Sequence, residues 1–376
     1  MRASRHIHRR RLPLTLAAGA AALALVAAGC GSSDSNSGGS GSGGASGSSG
    51  SAGKVAVLLP DSKSSVRWET VDRPFLKAAF DKAGIQATIQ NAEGDKSAQQ
   101  QQAEQAITNG AKVLLLVNLD SGSGAAIAAN AKSQGVKVID YDRLTLKGDS
   151  DYYVSFDNEQ VGKLQGQGLV NCLGNANKPA VAVLNGSPTD NNATLFANGY
   201  NSVIGPKFTS GQWTKVDDQS VPDWDNQKAL TIFEQMLQKS SNHVDGVLAA
   251  NDGLGNAAIS ALKARKLKQI PVTGQDATLQ GVQNIVNGDQ CMTVYKAIQK
   301  EADAAAKLAT TLAKGQTPTG ITASVDNQSK KVPAVLLQPV AVTKDNIKQY
   351  IGQADFPKQT DICAGKLASK CQAIGL

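Results

Sequence analysis

From Lys54 onward, short β-branched runs alternate with longer amphipathic segments, and that alternation leaves few folds open. The strands are "KVAVLL", "IQATIQ", "KVLLLV", "KVID", "YYVS", "AVAVL", "GVLAA", "IPVTG" and "MTVY". Between them run helical patterns such as "RPFLKAAFDKAG", "SAQQQQAEQAITNG", "EQVGKLQGQGLVNCL", "NQKALTIFEQMLQKS" and "GNAAISALKARK", several closed by glycine. Strand, helix, strand at this spacing predicts an α/β chain with parallel sheets and right-handed crossovers. The strands are apolar almost throughout, so helices cover both faces of each sheet. A length of 376 residues suffices for two domains of ordinary size.

The first 53 residues belong to a different kind of chain. Arg2, Arg5, Arg9, Arg10 and Arg11 precede an apolar segment from Leu12 to Ala28 that ends in "AAGC". That order reads residues 1–29 as a secretory signal rather than a membrane-spanning helix. Cys30 is then the lipidated residue of a bacterial lipoprotein, with Ala27 where a lipobox usually carries a larger aliphatic residue. The alternative is ordinary cleavage nearby with Cys30 as a spare thiol. "RRRLPL" resembles a twin-arginine export signal loosely, so Sec and Tat export both stay open. Residues 31–53 are almost pure Gly and Ser, a flexible tether of 23 residues. A chain of that composition spans about 25 Å. The expected location is therefore outside the cell membrane, anchored to its outer face.

Charge and cysteine usage narrow the function. Five of the 38 Lys and Arg lie in the signal, leaving 33 against 31 acidic groups and no basis for a nucleic-acid partner. Of three histidines only His243 lies beyond the signal, in the polar loop "SSNHVDG", which disfavours zinc sites and Ser/His/Asp triads. Cys172, Cys291, Cys363 and Cys371 allow three disulfide pairings in an exported protein. The short Cys363 to Cys371 loop is the first choice, which leaves Cys172 with Cys291; their spacing fits no metal motif.

The residues just past each strand carry the chemistry. Asp61, Arg67 and Trp68 come after the first; Asp142 and Arg143 after "KVID"; Asp190, Asn191 and Asn192 after "AVAVLNGSP"; Asn251 and Asp252 after "GVLAA"; Asp276 after "PVTGQ". Open α/β sheets bind ligands beyond the carboxyl ends of their strands. Asp and Asn there are ordinarily helix caps, and Asp190 and Asp252 are expected to be caps. Arg67, Trp68, Arg143 and Trp224 have no capping role. "LLPDSKSSVRW" lacks both GxGxxG and GxxxxGK, so neither a dinucleotide cofactor nor a transferable phosphate is expected. Carboxylates, amides, arginine forks and indoles together suit a neutral, hydroxyl-rich ligand.

The chain resembles the substrate-binding proteins of bacterial sugar ABC importers, and within them the D-xylose-binding group. The resemblance runs from Lys54 to about residue 355. It rests on "RW" at 67–68, "YDR" at 141–143, "SFDNEQVGKLQG" at 155–166, "GSPTDNNATLF" at 186–196, "AANDGLGNAAISAL" at 249–262, "GQDA" at 274–277 and "MTVYK" at 292–296. It implies the type I periplasmic binding protein fold, two Rossmann-like lobes joined by a three-strand hinge. Lobe 1 would hold 54–157 and 297–337, and lobe 2 would hold 158–296 and 338–376. Crossings are implied near Ser155 to Asn158, near Tyr295 and Lys296, and near Leu337 to Val340. It further implies a monomeric, non-enzymatic binder of a monosaccharide, D-xylose ahead of other aldoses, delivering to an ABC permease without cofactor or metal.

Carried over by position, the sugar-contacting set is Arg67, Trp68, Asp142, Arg143, Asn192, Trp224, Asn251, Asp276 and Lys296, with Asn191 not separable from Asn192. Ser220 departs from the pattern, standing in "DQS" where an aromatic is expected. The galactose relatives' acidic calcium loop has no counterpart here. Asp142 and Arg143 are expected to hold each other's charge in an open cleft and to bond sugar hydroxyls in a closed one. Three rivals remain: a carbohydrate-active enzyme using Asp142 and Asp276, a sugar-responsive regulator whose DNA-binding headpiece the signal and tether displace, and a sensor presenting sugar to a membrane receptor.

Overall fold

The computed structural model describes residues 53–376. The export signal, Cys30 and residues 31–52 of the tether lie outside the described residues. The first sheet takes β1 (Lys54–Leu59), β2 (Ala87–Asn91), β3 (Ala111–Leu116), β4 (Lys137–Tyr141) and β5 (Tyr152–Phe156). Helices α1 (Arg73–Ala83), α2 (Lys96–Thr108) and α3 (Ser121–Ser133) connect the first four strands, all paired in parallel. Alternate residues of β1 serve opposite cores: Val55, Val57 and Leu59 on one face, Ala56 and Leu58 on the other. Its run of buried residues is thus the period-two pattern of a strand covered twice.

The chain then crosses to a second lobe. There it forms α4 (Asn158–Leu173), β6 (Ala180–Asn185), α5 (Asn191–Thr209), β7 (Thr214–Ser220), α6 (Asn226–Lys239), β8 (Gly246–Ala249), α7 (Asp252–Ala264), α8 (Leu279–Asn287) and β9 (Met292–Tyr295). It returns through α9 (Ile298–Ala313), which packs on α1 and the first sheet, then β10 (Ala323–Asp326) and β11 (Lys331–Leu337). It crosses once more into β12 (Val340–Thr343), which pairs antiparallel with β9. The first sheet is ordered β10-β11-β5-β4-β3-β1-β2, and the second lobe holds β7-β6-β8 and β12-β9. The crossings run side by side: Phe156 is in register with Leu337, and the Asp157 N–H donates to the Leu337 carbonyl at 2.9 Å.

One expected strand is not regular. "IPVTG" joins β8 only through a bridge at Val272, although backbone bonds link it to β8 on one side and β9 on the other. Pro271 has no N–H to give, and the Thr273 hydroxyl takes over part of the ladder, bonding the N–H and carbonyl of Ala249 at 2.9 and 3.0 Å. Helices α4 and α5 meet at Gly162 and Gly199, where a Cβ on either would overlap the facing backbone. That close approach sets how α5 lies against α4. Cys172 is bonded to Cys291, and Cys363 to Cys371. Among the described residues no helix is long and apolar enough to cross a membrane.

Candidate functional site

The strand ends of the two lobes face each other across one small cavity. From the first lobe come Ser64, Ser65, Arg67, Trp68, Asp142 and Arg143; from the second come Asp190, Asn192, Phe196, Trp224, Asn251, Gln275 and Asp276; Lys296 stands at the return crossing. Nine of the ten ligand-contact candidates thus line one space. Asn191 does not: it opens α5 half-buried, while its neighbour Asn192 is buried and donates to the Asp142 carboxylate at 3.0 Å. Ser220 lies exposed at the end of β7, and the aromatic partner of Trp224 is Phe196, edge-on at 6.3 Å.

Arg67 and Trp68 stand where a wide helical turn, Trp68–Asp72, runs into α1. The Arg67 guanidinium forks onto Asp72 with two 2.8 Å bonds, reaches Asp142 at 2.9 Å and gives a further bond to Glu301 at 3.0 Å. Asp72 also accepts the Tyr141 hydroxyl at 2.7 Å. Trp68 lies against this cluster, its ring centroid 4.4 Å from Arg67 and 5.5 Å from Arg143.

In this arrangement Asp142 and Arg143 form no ion pair with each other, although the Arg143 charge acts on Asp142 at longer range. Asp142 pairs with Arg67 and lies 3.7 Å from Lys296, whereas Arg143 reaches across to Asp190 of the second lobe at 3.1 Å. The cause is backbone: Asp142 takes φ of +62°, which turns the strand tip and sends adjacent side chains to different partners. Trp224 at +55° and Asp276 at +93° are held in the same sparsely populated region. Strained non-glycine residues persist where their surroundings over-determine them, and here three of them face one cavity.

Asp190 is a cap, as expected, accepting from the Asn192 N–H at 2.9 Å, but its other oxygen takes the Trp224 indole N–H at 3.1 Å and Arg143. Asp252 is not the cap of α7. Asn251 is, accepting from the Leu254 N–H at 2.9 Å, and Asp252 is buried beneath the site. Sequence reasoning also missed Ser64, Ser65, Phe196 and Gln275. Gln275 stands inside the quoted "GQDA", and its Oε1 is buried without a partner among the described residues.

Burial would raise the Asp142 carboxyl, but Arg67, Lys296 and Arg143 outweigh it and hold the group below its usual value. Such a carboxylate is unsuited to donate a proton to a glycosidic oxygen. The lining residues supply three cations, Arg67, Arg143 and Lys296, against three carboxylates, Asp142, Asp190 and Asp276. This balance favours an uncharged ligand with many hydroxyls. The cavity measures about 30 Å³, room for two or three waters. A sugar therefore enters only as the side chains or the lobes yield. Clefts of about 270 and 330 Å³ adjoin it, sharing Ser64 and Arg143 on one side and Ser64 and Asn251 on the other. Among the described residues no group of His, Cys, Asp and Glu is arranged to hold a metal ion.

Burial raises Asp140 to about 6 and Asp252 to about 7, and burial with the nearby Asp142 charge raises Glu301 well above its ordinary value. An unfolded chain has released these protons by about pH 4 to 5. The folded protein thus binds more protons in that interval, and these groups lower its stability as pH rises from about 4 to about 7, with no further loss from the two aspartates above that. The ligand-free melting temperature is expected to be higher at pH 5 than at pH 7.5. A profile that rises over this range contradicts the burial argument.

A periplasmic binding protein domain matches residues 55–317. The chain is 40% identical over 297 residues to the D-xylose-binding periplasmic protein of Haemophilus influenzae, covering 79% of this chain and 88% of that one. It is 37% identical over 310 residues to the D-xylose-binding periplasmic protein of Escherichia coli K12, covering 82% and 92%. Among solved structures it resembles the carbohydrate transporter solute binding protein from Chloroflexus aurantiacus in complex with D-glucose, with TM-score 0.74 and 31% identity, covering 81% and 98%. With two α/β lobes, three crossings and a polar site between them, the chain belongs to the periplasmic binding protein family.

Proposed function

We propose that this protein captures a monosaccharide, D-xylose ahead of other aldoses, between its lobes and delivers it to the permease of an ABC importer. In this proposal a lipid on Cys30 and the Gly/Ser tether hold it at the outer face of the cell membrane. The observation that carries the sugar reading is the charge-balanced ring of forks, amides and indoles contributed by both lobes to one space between them. Charged partners strengthen each bond to a hydroxyl. A sugar lacking or inverting one hydroxyl leaves an enclosed group unpaired, at about 1–3 kcal/mol. The two D-xylose-binding relatives support xylose in particular.

The test is a thermal-shift panel of monosaccharides followed by titration calorimetry. A ligand at 100 times its dissociation constant adds about 2.7 kcal/mol. In a chain of this size that moves the melting temperature by roughly 4 to 5 °C. D-xylose is expected to give the largest shift. No shift with any aldose at millimolar concentration ends the proposal, and a larger shift with glucose or arabinose reassigns the ligand.

A further inference from the structure

Asp252 touches none of the cavity, yet it grips both ends of the loop that presents Gln275 and Asp276. Its backbone N–H donates to the Gln275 carbonyl at 3.0 Å. One carboxylate oxygen accepts from the N–H and hydroxyl of Thr278 at 2.8 and 3.0 Å, and the other from Gln290 and the Thr293 hydroxyl, both at 2.8 Å. Gly274 and Gly281 flank it so closely that a Cβ on either would overlap its oxygens. Between the two grips, Asp276 and Ala277 take φ of +93° and +48°, which no helix or strand imposes. The Ala277 N–H is held in turn by the Thr293 hydroxyl at 3.2 Å.

We propose that Asp252 is a positioning residue for ligand recognition, clamping the 275–278 loop so that Asp276 meets Lys296 and the bound molecule. Four donors converge on the two oxygens of one carboxyl group, and an amide of the same shape, with a single acceptor oxygen, cannot reproduce that set. The Asp276 carboxylate then stands 3.2 Å from the Lys296 ammonium. The inference rests on the cleft being a sugar site, and the experiment separates the two.

The experiment is titration calorimetry of the full chain with D-xylose in a double-mutant cycle of Asp252→Asn and Asp276→Asn. Asp252→Asn alone is expected to weaken binding about tenfold or more, and less than about threefold once Asp276 is already Asn. An effect of equal size in both backgrounds, or a lowered melting temperature with unchanged affinity, makes Asp252 merely structural and overturns the inference. Should Asp252→Asn not fold, Thr293→Val carries the same test, with an expected loss of about fivefold that disappears in the Asp276→Asn background. Unaltered protein that binds no monosaccharide overturns the sugar reading together with the inference. Binding by unaltered protein that both variants leave intact overturns the inference alone.

Discussion

Arg67→Ala is expected to abolish sugar binding and to lower the ligand-free melting temperature by about 5 to 10 °C. The guanidinium has five N–H donors. Asp72 takes two, Glu301 shares the second terminal nitrogen, and Asp142 takes one from the first. A single donor, on the nitrogen facing Asp142, is left for a ligand. Removing this side chain therefore takes a partner from three buried carboxyl groups: Asp72 keeps Tyr141, Asp142 keeps Asn192 and Lys296, and Glu301 keeps none among the described residues. Breaking a buried ion pair by deleting one partner costs about 3 to 5 kcal/mol. At roughly 1.5 to 2 °C per kcal/mol for more than 300 ordered residues, that is a shift of about 5 to 10 °C. Arg67→Lys separates the parts: the charge remains, but an ammonium cannot fork onto Asp72 while reaching Asp142. It is expected to recover part of the stability and little of the binding. Melting curves with calorimetry of each variant check this, and an Arg67→Ala protein that melts within two degrees of the parent contradicts the network account.

The network behind Arg67 shows where sequence reasoning stops. Trp68, Asp72, Leu76 and Phe80 recur every four residues and are all buried, so an acid sits on the apolar stripe of a helix. Glu301 likewise stands among Ile298, Ala302, Ala305 and Ala309 on the buried face of α9. A charge on such a stripe is a legible anomaly, since helices bury charges only when paired. Its partner is not legible, because Arg67 and Glu301 are brought together by the chain's return from the second lobe. Buried strands were legible from their apolar runs, but β7, "TKVDDQS", was not: it is an edge strand with polar residues on both faces. The edge strand β10 is only four residues, "ASVD", and its inner neighbour β11 is interrupted by Pro333, so neither reads as an apolar run. Which residues stand at the strand tips is written in the order of runs. How Asp142, Trp224 and Asp276 turn there depends on positive φ values that only tertiary packing enforces.

Arg143→Ala supplies the contrasting outcome: a loss of about 100-fold in sugar affinity with a ligand-free melting temperature within a few degrees of the parent. Its bonds in the structure are long, 3.1 Å to Asp190, 3.3 Å to the Asn118 carbonyl and 3.4 Å to Ser64. Asp190 keeps the Asn192 N–H and the Trp224 indole when Arg143 is gone. One carboxylate thus loses one of three partners, against three buried carboxyl groups that each lose a cation at Arg67. The binding cost has two sources. Two charge-assisted bonds to hydroxyls at about 1.5 kcal/mol each account for a hundredfold, and the ion pair that joins the lobes beside Trp68 and Trp224 is lost as well. Titration calorimetry and melting of the same preparation decide the matter. A collapse in melting temperature comparable to Arg67→Ala makes Arg143 a permanent brace between the lobes, and an unchanged dissociation constant moves the sugar out of this cavity altogether.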